Sequence, residues 1–234
     1  MREGIAERLA QIHQRITEAA KRSGRDPAQI ALVAVSKTVD PATVQIAASA
    51  GVRDLGENRV QEALGKAPQV QADGLKWHLI GHLQSNKARQ AVSTFDFIHT
   101  IDTVDLAQRL DRIAGEEGKR PVVLVQVDLA HEPTKGGADE ADLPKIVEAL
   151  ESAKNLDFRG LMTIPPFFDQ PEQSRGYFKR LREVLENLNR GRAPQRLLTE
   201  LSMGMSNDFE VAIEEGATMI RVGTAIFGPR EKRT

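Results

Sequence analysis

A lysine that ends an apolar, β-rich run is the first residue of this chain with chemistry to offer. Lys37 follows ALVAVS, so its side chain projects from a low-dielectric wall. Burial disfavours the ammonium form and lowers its pKa, and a neutral amine attacks carbonyls, the requirement for a Schiff base. On position alone, the commoner outcome is a lysine whose stem covers apolar surface while its head reaches water. Two later segments bear on the choice. LSMGMSND supplies Ser202, Gly204 and Ser206 ahead of a helix start near Asn207 and Asp208, and RVGT supplies Gly223 and Thr224. Glycine lets backbone N–H groups approach a ligand, hydroxyls add hydrogen bonds, and a helix N-terminus adds positive potential. Either segment alone is ordinary turn chemistry. Together they read as a phosphate cup, and a phosphate beside a reactive lysine points to pyridoxal 5′-phosphate.

Other residues extend this reading. Arg221, two positions before Gly223, points inward by strand alternation. A guanidinium set against a pyridine nitrogen keeps its own proton, so the ring stays unprotonated and is a weaker electron sink. The competing reading is a salt bridge to a carboxylate such as Glu200. Asn58 is placed to hydrogen-bond the ring oxygen or simply to make a turn. His82 begins a loop facing the same end, whereas His78 and His99 lie within strands. No histidine has metal-site spacing, so structural roles are expected and no metal is assigned. Met162 is expected to pack in the barrel mouth, and the methionines of SMGM to line an apolar wall or pack the loop.

The elements that must hold these residues alternate strictly. Ile5, Leu9, Ile12 and Ile16 mark a leading amphipathic helix that ends near Ser23 and Gly24. Strands follow in IALVAVSK, RDLGEN, LKWHLIG, FDFIHTID, PVVLVQVDL, FRGLMTI, RLLTELSMG and TMIRVGTAIFG. A helix comes after each except the last. The first of these opens with Asp40 as N-cap and Pro41 at the first helical position. The fifth reads DEADLPKIVEALESAK, with Pro144 tolerable only near its start. Alternation of this kind means a parallel sheet, and eight units favour closure into a single (β/α)₈ TIM-type barrel with an extra N-terminal helix, over an open doubly wound sheet. Active sites of such barrels sit at the carboxyl ends of the strands, with phosphate sites after strands seven and eight. Residues 1–234 read as one binding domain, with the helix in 1–24 and a charged tail in 229–234.

Composition narrows the function classes. The chain has 234 residues, 40% hydrophobic and 28% charged, and no cysteine. Disulfides, thiolate metal sites and cysteine nucleophiles are excluded. A net charge of −1 and 4% aromatic residues argue against nucleic acid as a partner. No apolar run approaches the roughly 20 residues of a membrane span, and the first residues lack a signal core, so a soluble cytoplasmic protein is expected.

AVSKTV, LGENRVQE, WHLIGHLQSNK, GLMTIPP, LSMGMSNDFEVAI and RVGTAIFG resemble, in that order, the pyridoxal phosphate homeostasis protein family. The family looks like the barrel domain of alanine racemase without its second, β-rich domain. The resemblance implies Lys37 as the Schiff-base lysine, Ser202, Gly223 and Thr224 as phosphate contacts, and Asn58 and Arg221 as residues lining the cofactor. Asp128, in VDLAHEPTKGG, stands where the resemblance implies asparagine, while the pattern of Glu132, Lys135 and Gly137 is kept. The implied role is reversible holding of pyridoxal phosphate, limiting the free aldehyde and handing the cofactor to apoenzymes. The alternative is a weak amino-acid racemase. Racemisation needs a base on each face of the α-carbon, and Tyr177, the single tyrosine, falls in a helix far from the strand ends. The chain also ends soon after its last strand. A phosphate-sugar barrel enzyme without pyridoxal phosphate ranks last. With the second domain absent, a monomer is expected.

Overall fold

Segments of four to six residues, largely buried whatever their polarity, form the strands, and each is followed by a helical segment that covers it. The computed structural model describes residues 2–131 and 136–228. The tail in 229–234, Glu132 and Lys135 lie outside the described residues. The strands are β1 (Ala31–Val35), β2 (Asp54–Glu57), β3 (Lys76–Leu79), β4 (Phe97–Ile101), β5 (Val122–Gln126), β6 (Asp157–Met162), β7 (Glu200–Met205) and β8 (Met219–Val222). Each pairs in parallel with the next, and β8 returns to β1 in the register Ala31↔Met219 to Ala34↔Val222, which closes the barrel. Closure removes the two open edges that a parallel sheet would otherwise expose.

The helices are α1 (Arg2–Arg22), α2 (Pro41–Ser49), α3 (Val60–Lys66), α4 (Ala88–Thr94), α5 (Val104–Glu117), α6 (Leu143–Ser152), α7 (Arg175–Asn189), α8 (Phe209–Glu214) and α9 (Thr224–Phe227). Local signals act as expected at α2, where Asp40 accepts a hydrogen bond from the Thr43 N–H at 2.9 Å and Pro41 stands in the first turn. α5 ends at Gly118, whose φ of 60° suits a left-handed cap. Two boundaries differ from the sequence reading. α6 starts at Leu143, not in the acidic segment before it, so Pro144 falls in the first turn, where its missing N–H is harmless. The end of TMIRVGTAIFG is not strand. β8 stops at Val222 and TAIF forms α9, so a helix follows the eighth strand as well.

α1 is held to the closing end of the barrel. Ile5, Leu9, Ile12 and Ile16 are buried. The Arg15 guanidinium grips Glu210 of α8 through two N–H donors at 2.7 and 2.9 Å, and Arg8 Nε donates to the Ile226 carbonyl of α9 at 2.6 Å. The apolar interior has two parts. The larger fills the layer between strands and helices. The smaller lies inside the barrel, where Val33, Leu124, Met162 and Met219 pack together. Met162 therefore sits in the barrel interior.

Candidate functional site

The carboxyl ends of the strands enclose a cavity of about 480 Å³, within the usual size of small-molecule sites. Its walls include Lys37, Asn58, Arg221, Gly223 and Thr224. Five of the six residues singled out in the sequence thus converge on one space. The sixth, Ser202, does not line it. Strand alternation turns Ser202 into the fully buried barrel interior, where its hydroxyl receives a hydrogen bond from Arg221 Nη1 at 2.7 Å and meets His99 Nδ1 at 2.9 Å. Ser206, four residues later and past the end of β7, is the serine that reaches the cavity.

Lys37 occupies a turn whose geometry is imposed from below. Val39 N–H donates to the Ser36 carbonyl at 3.0 Å, and between them Thr38 adopts φ 65°. A β-branched residue in the left-handed region is strained, and such strain persists only where the surroundings over-determine it. Here Thr38 N–H donates to Glu62 Oε1, and Glu62 shares Lys66 with Glu57. Lys66 Nζ also donates to the Ser36 carbonyl at 2.6 Å, and Ser36 Oγ to Glu57 Oε1 at 2.6 Å. Burial pushes the Glu57 carboxyl above its ordinary range, against the pull of Lys66 and Ser36. Burial also pushes Glu62 up, but its hydrogen bonds from Lys66 and from Thr38 N–H outweigh this and leave it below the carboxylate range. The result is a clamp that fixes both ends of the Lys37 turn.

Asn58 is fixed by a glycine opposite. A Cβ on Gly81 would stand 2.2 Å from the Asn58 carbonyl oxygen, so only glycine allows this approach. Gly204 plays a related part beneath the cup. Its φ is +90°, and a Cβ there would meet Ala212 Cβ at 2.5 Å. It serves close packing of the turn on α8. Asp208 Oδ1 accepts from Met205 N–H at 2.7 Å and folds the same turn. Gly223 N–H donates to Ser206 Oγ at 3.3 Å, joining the two loops. The first N–H groups of α9, from Thr224 and Ala225, have no intrahelical acceptor by position. Val35, Ile80, Ile164, Phe168 and Met205 supply apolar walls, and Phe167 stands at 74% exposure beside them.

Arg221 is buried and cationic. Its Nη2 donates to the Thr163 carbonyl at 2.8 Å, so its described partners are a carbonyl and a hydroxyl. Glu200 instead accepts hydrogen bonds from Thr199 and Thr218. Burial pushes the Arg221 pKa down to about 10, and the nearby Asp208 charge opposes the fall. The guanidinium remains charged at neutral pH.

Two histidines judged structural by sequence form a buried pair. His78 Nδ1 meets His99 Nε2 at 2.9 Å, and His78 Nε2 meets Asp54 Oδ1 at 2.9 Å. Strand parity carried the signal, because adjacent parallel strands put both rings on the inner face. Burial holds His99 well below the ordinary histidine pKa, and the neighbouring His78 ring and the Arg221 cation lower it further. Its unfolded form binds a proton near pH 6.5 and its folded form does not. Stability is therefore complete above about pH 6.5 and falls as pH drops below it, with a slope approaching about 1.4 kcal/mol per pH unit. Chemical denaturation between pH 7 and 5 is expected to show this slope, and His99→Asn to flatten it. An unchanged slope in that variant would assign the acid sensitivity elsewhere.

The remaining residues fall away from the cavity. The His82 side chain is largely exposed, with Nδ1 3.6 Å from Asp102. Asp128 Oδ1 accepts from the N–H groups of Ala130 and His131 at 3.1 and 2.9 Å. An asparagine oxygen makes the same bonds, so the aspartate changes charge here without changing the turn. Tyr177, on α7, stacks against Phe168 with centroids 6.0 Å apart and does not itself line the cavity. Among the described residues no helix is long and apolar enough to cross a membrane.

Comparison with known proteins gives this geometry a context. The pyridoxal phosphate homeostasis protein of Pseudomonas aeruginosa is 46% identical over 228 residues, covering 97% of this chain and 96% of that protein. PipY of Synechococcus elongatus, solved with pyridoxal phosphate bound, superposes with a TM-score of 0.84 at 46% identity, over 96% of this chain and 100% of PipY. Alanine racemase of Clostridium difficile shares the fold, with a TM-score of 0.71 at 15% identity, over 98% of this chain and 57% of the racemase. Residues 8–231 match the family described as alanine racemase, N-terminal domain. By that extent and those identities, the chain belongs to the alanine racemase N-terminal domain family and, within it, to the pyridoxal phosphate homeostasis proteins.

Proposed function

We propose that this protein holds pyridoxal 5′-phosphate reversibly on Lys37 and acts in the homeostasis of that cofactor. One observation carries the reading. A single cavity brings together an amine, a buried guanidinium, hydroxyl and N–H donors on two joined loops, and apolar walls. The cofactor supplies an aldehyde that condenses with an amine, with loss of water, and an aromatic ring that withdraws electrons. Lys37 is the anchor, on a turn fixed by the Glu57, Glu62 and Lys66 clamp. Ser206, Gly223 and Thr224 would hold the phosphate, with Ser206 in the place that sequence reasoning gave to Ser202. Arg221 would face the ring nitrogen and Asn58 the ring oxygen, while Val35, Ile80 and Met205 pack the ring. The relatives named for this cofactor and PipY, solved with it bound, support the assignment.

The role proposed is buffering of the free aldehyde and hand-over to apoenzymes by a monomer in the cytoplasm. Loaded protein should reconstitute an apoenzyme faster than free cofactor does, and equal rates would remove the hand-over. Weak racemisation is the second reading. Tyr177 packs on Phe168 and is poorly placed to be a second base. Exchange of an amino acid's α-proton with solvent deuterium, dependent on Lys37, would favour that reading.

The deciding experiment is borohydride reduction of the protein mixed with pyridoxal phosphate. A visible band and a reduced covalent label on Lys37 are expected, both lost in Lys37→Ala. A label on another lysine, or a band unchanged in the variant, would overturn the assignment.

A further inference from the structure

We propose that Asp54, His78 and His99 are positioning residues for Arg221, relaying the hydrogen-bond polarity of a carboxylate on the amino-terminal face of the barrel to the cofactor-binding face. The inference rests on the reading of Arg221 as a cofactor-facing residue. Its basis is an unbroken chain through the barrel interior. Arg221 Nη1 lies 2.7 Å from Ser202 Oγ, which lies 2.9 Å from His99 Nδ1. His99 Nε2 lies 2.9 Å from His78 Nδ1, and His78 Nε2 lies 2.9 Å from Asp54 Oδ1. Asp54 opens β2, while Arg221 lines the cavity at the other end of the strands.

Donor and acceptor capacities give this chain one direction. Arginine has no acceptor, so Arg221 donates to Ser202. The Ser202 hydroxyl hydrogen then goes to His99 Nδ1. His99 carries its own proton on Nε2 and gives it to His78 Nδ1. His78 in turn carries its proton on Nε2 and gives it to the Asp54 carboxylate. Every contact is satisfied with both imidazoles neutral. Reversing the chain would leave the Ser202 hydroxyl hydrogen, in a fully buried position, with no described acceptor, and would require a second proton on His78. The ring planes are fixed too. His78 stacks on Phe97 at 4.2 Å and 10°, and meets His99 edge-on at 5.2 Å and 64°.

Such a chain is an expensive way to fill a barrel. The adjoining interior positions are Val33, Leu124, Met162 and Met219, and burying polar groups is unfavourable unless each is paired. The pairing here runs from the guanidinium to a carboxylate whose side chain is 21% exposed. Each bond polarises the next in a low dielectric. The chain and the Thr163 carbonyl occupy two of the five guanidinium N–H groups, which sets the direction in which the remaining donors face the cavity. Asp54 thereby affects the electron density of a bound ring nitrogen without touching it.

The test uses Asp54→Asn, which keeps an acceptor oxygen and loses the charge, and Asp54→Leu, which loses both. Nitrogen-15 NMR of the wild-type protein without cofactor should find His78 and His99 each protonated on Nε2. With nitrogen-15 pyridoxal phosphate bound, the ring-nitrogen resonance and the visible band should shift in both variants, more in Asp54→Leu, out of proportion to any change in unfolding midpoint. A proton on His99 Nδ1, or holoprotein spectra of both variants that superimpose on wild type, would overturn the relay. Wild-type protein that takes up no cofactor would instead refute the cofactor reading. The histidine tautomers measured without cofactor would still decide whether the chain has the stated direction.

Discussion

Lys66→Met is expected to lower the unfolding free energy by about 3–5 kcal/mol, the usual result of removing one partner from a buried ion pair. Glu57 is fully buried, and only its Oε1 has partners, Ser36 and Lys66, while Oε2 has none. Methionine leaves that carboxylate without its cation. It also frees Glu62 from Lys66 and takes the donor from the Ser36 carbonyl. The damage extends to function because Ser36 and Thr38 flank Lys37. Without Lys66, Glu62 loses the cation that holds it beneath the Thr38 N–H, and the left-handed turn should relax toward ordinary backbone angles. The double variant Glu57→Leu, Lys66→Met separates these effects. It removes the stranded charge and should recover most of the stability, because apolar replacement of a buried pair is often neutral. It should not recover the Lys37 geometry, so borohydride labelling of Lys37 should stay depressed. Urea denaturation of the three proteins checks the first claim. A single variant within about 1 kcal/mol of wild type would mean that Glu57 is already neutral in the fold.

The contrast between what the sequence disclosed and what it hid follows from how far each signal reaches. β5 was legible because a strand covered on both faces shows as an uninterrupted apolar run, VVLVQ, and α2 because its cap is local. Strand ends then located Lys37, Asn58, Arg221, Gly223 and Thr224. Ser202 stands apart from the cavity lining because a loop composition rich in Ser and Gly says nothing of facing, which is set by residue parity within β7. The β7–β8 register pairs Ser202 with Met219, an interior residue two positions before Arg221 on the same face of β8, and so turns Ser202 inward. TAIF reads as strand in the sequence and forms α9 in the fold, because a four-residue segment carries no periodicity that separates helix from strand. The clamp beneath Lys37 joins residues 36, 57, 62 and 66, and the interior relay joins 54, 78, 99, 202 and 221. Both depend on barrel closure, which brings together polar residues that look unremarkable in their own segments.

Arg221→Met should give the largest loss of cofactor affinity among variants that keep Lys37. A hydrogen bond from a charged donor contributes about 1.5–3 kcal/mol, so binding should weaken roughly 10- to 150-fold at about 1.4 kcal/mol per factor of ten. The fold should also weaken, because the Thr163 carbonyl and Ser202 hydroxyl are buried and would each lose a donor, at about 1–3 kcal/mol apiece. Arg221→Lys discriminates between charge and geometry. An ammonium retains the charge but is a compact point donor that cannot reproduce the planar fork. It cannot reach Ser202, the Thr163 carbonyl and a ligand in the arrangement that the guanidinium permits. If charge alone matters, Arg221→Lys should bind almost as wild type. If the fork matters, it should fall close to Arg221→Met. The second outcome is expected, because two of the N–H groups are committed to the barrel and the ligand must be met by others on the same rigid plane. Equilibrium titration of cofactor-free protein with pyridoxal phosphate at neutral pH, where Arg221 keeps its proton despite a pKa near 10, measures all three. Equal affinity across the series would confine Arg221 to packing, and the phosphate loops with Lys37 would then account for the whole of binding.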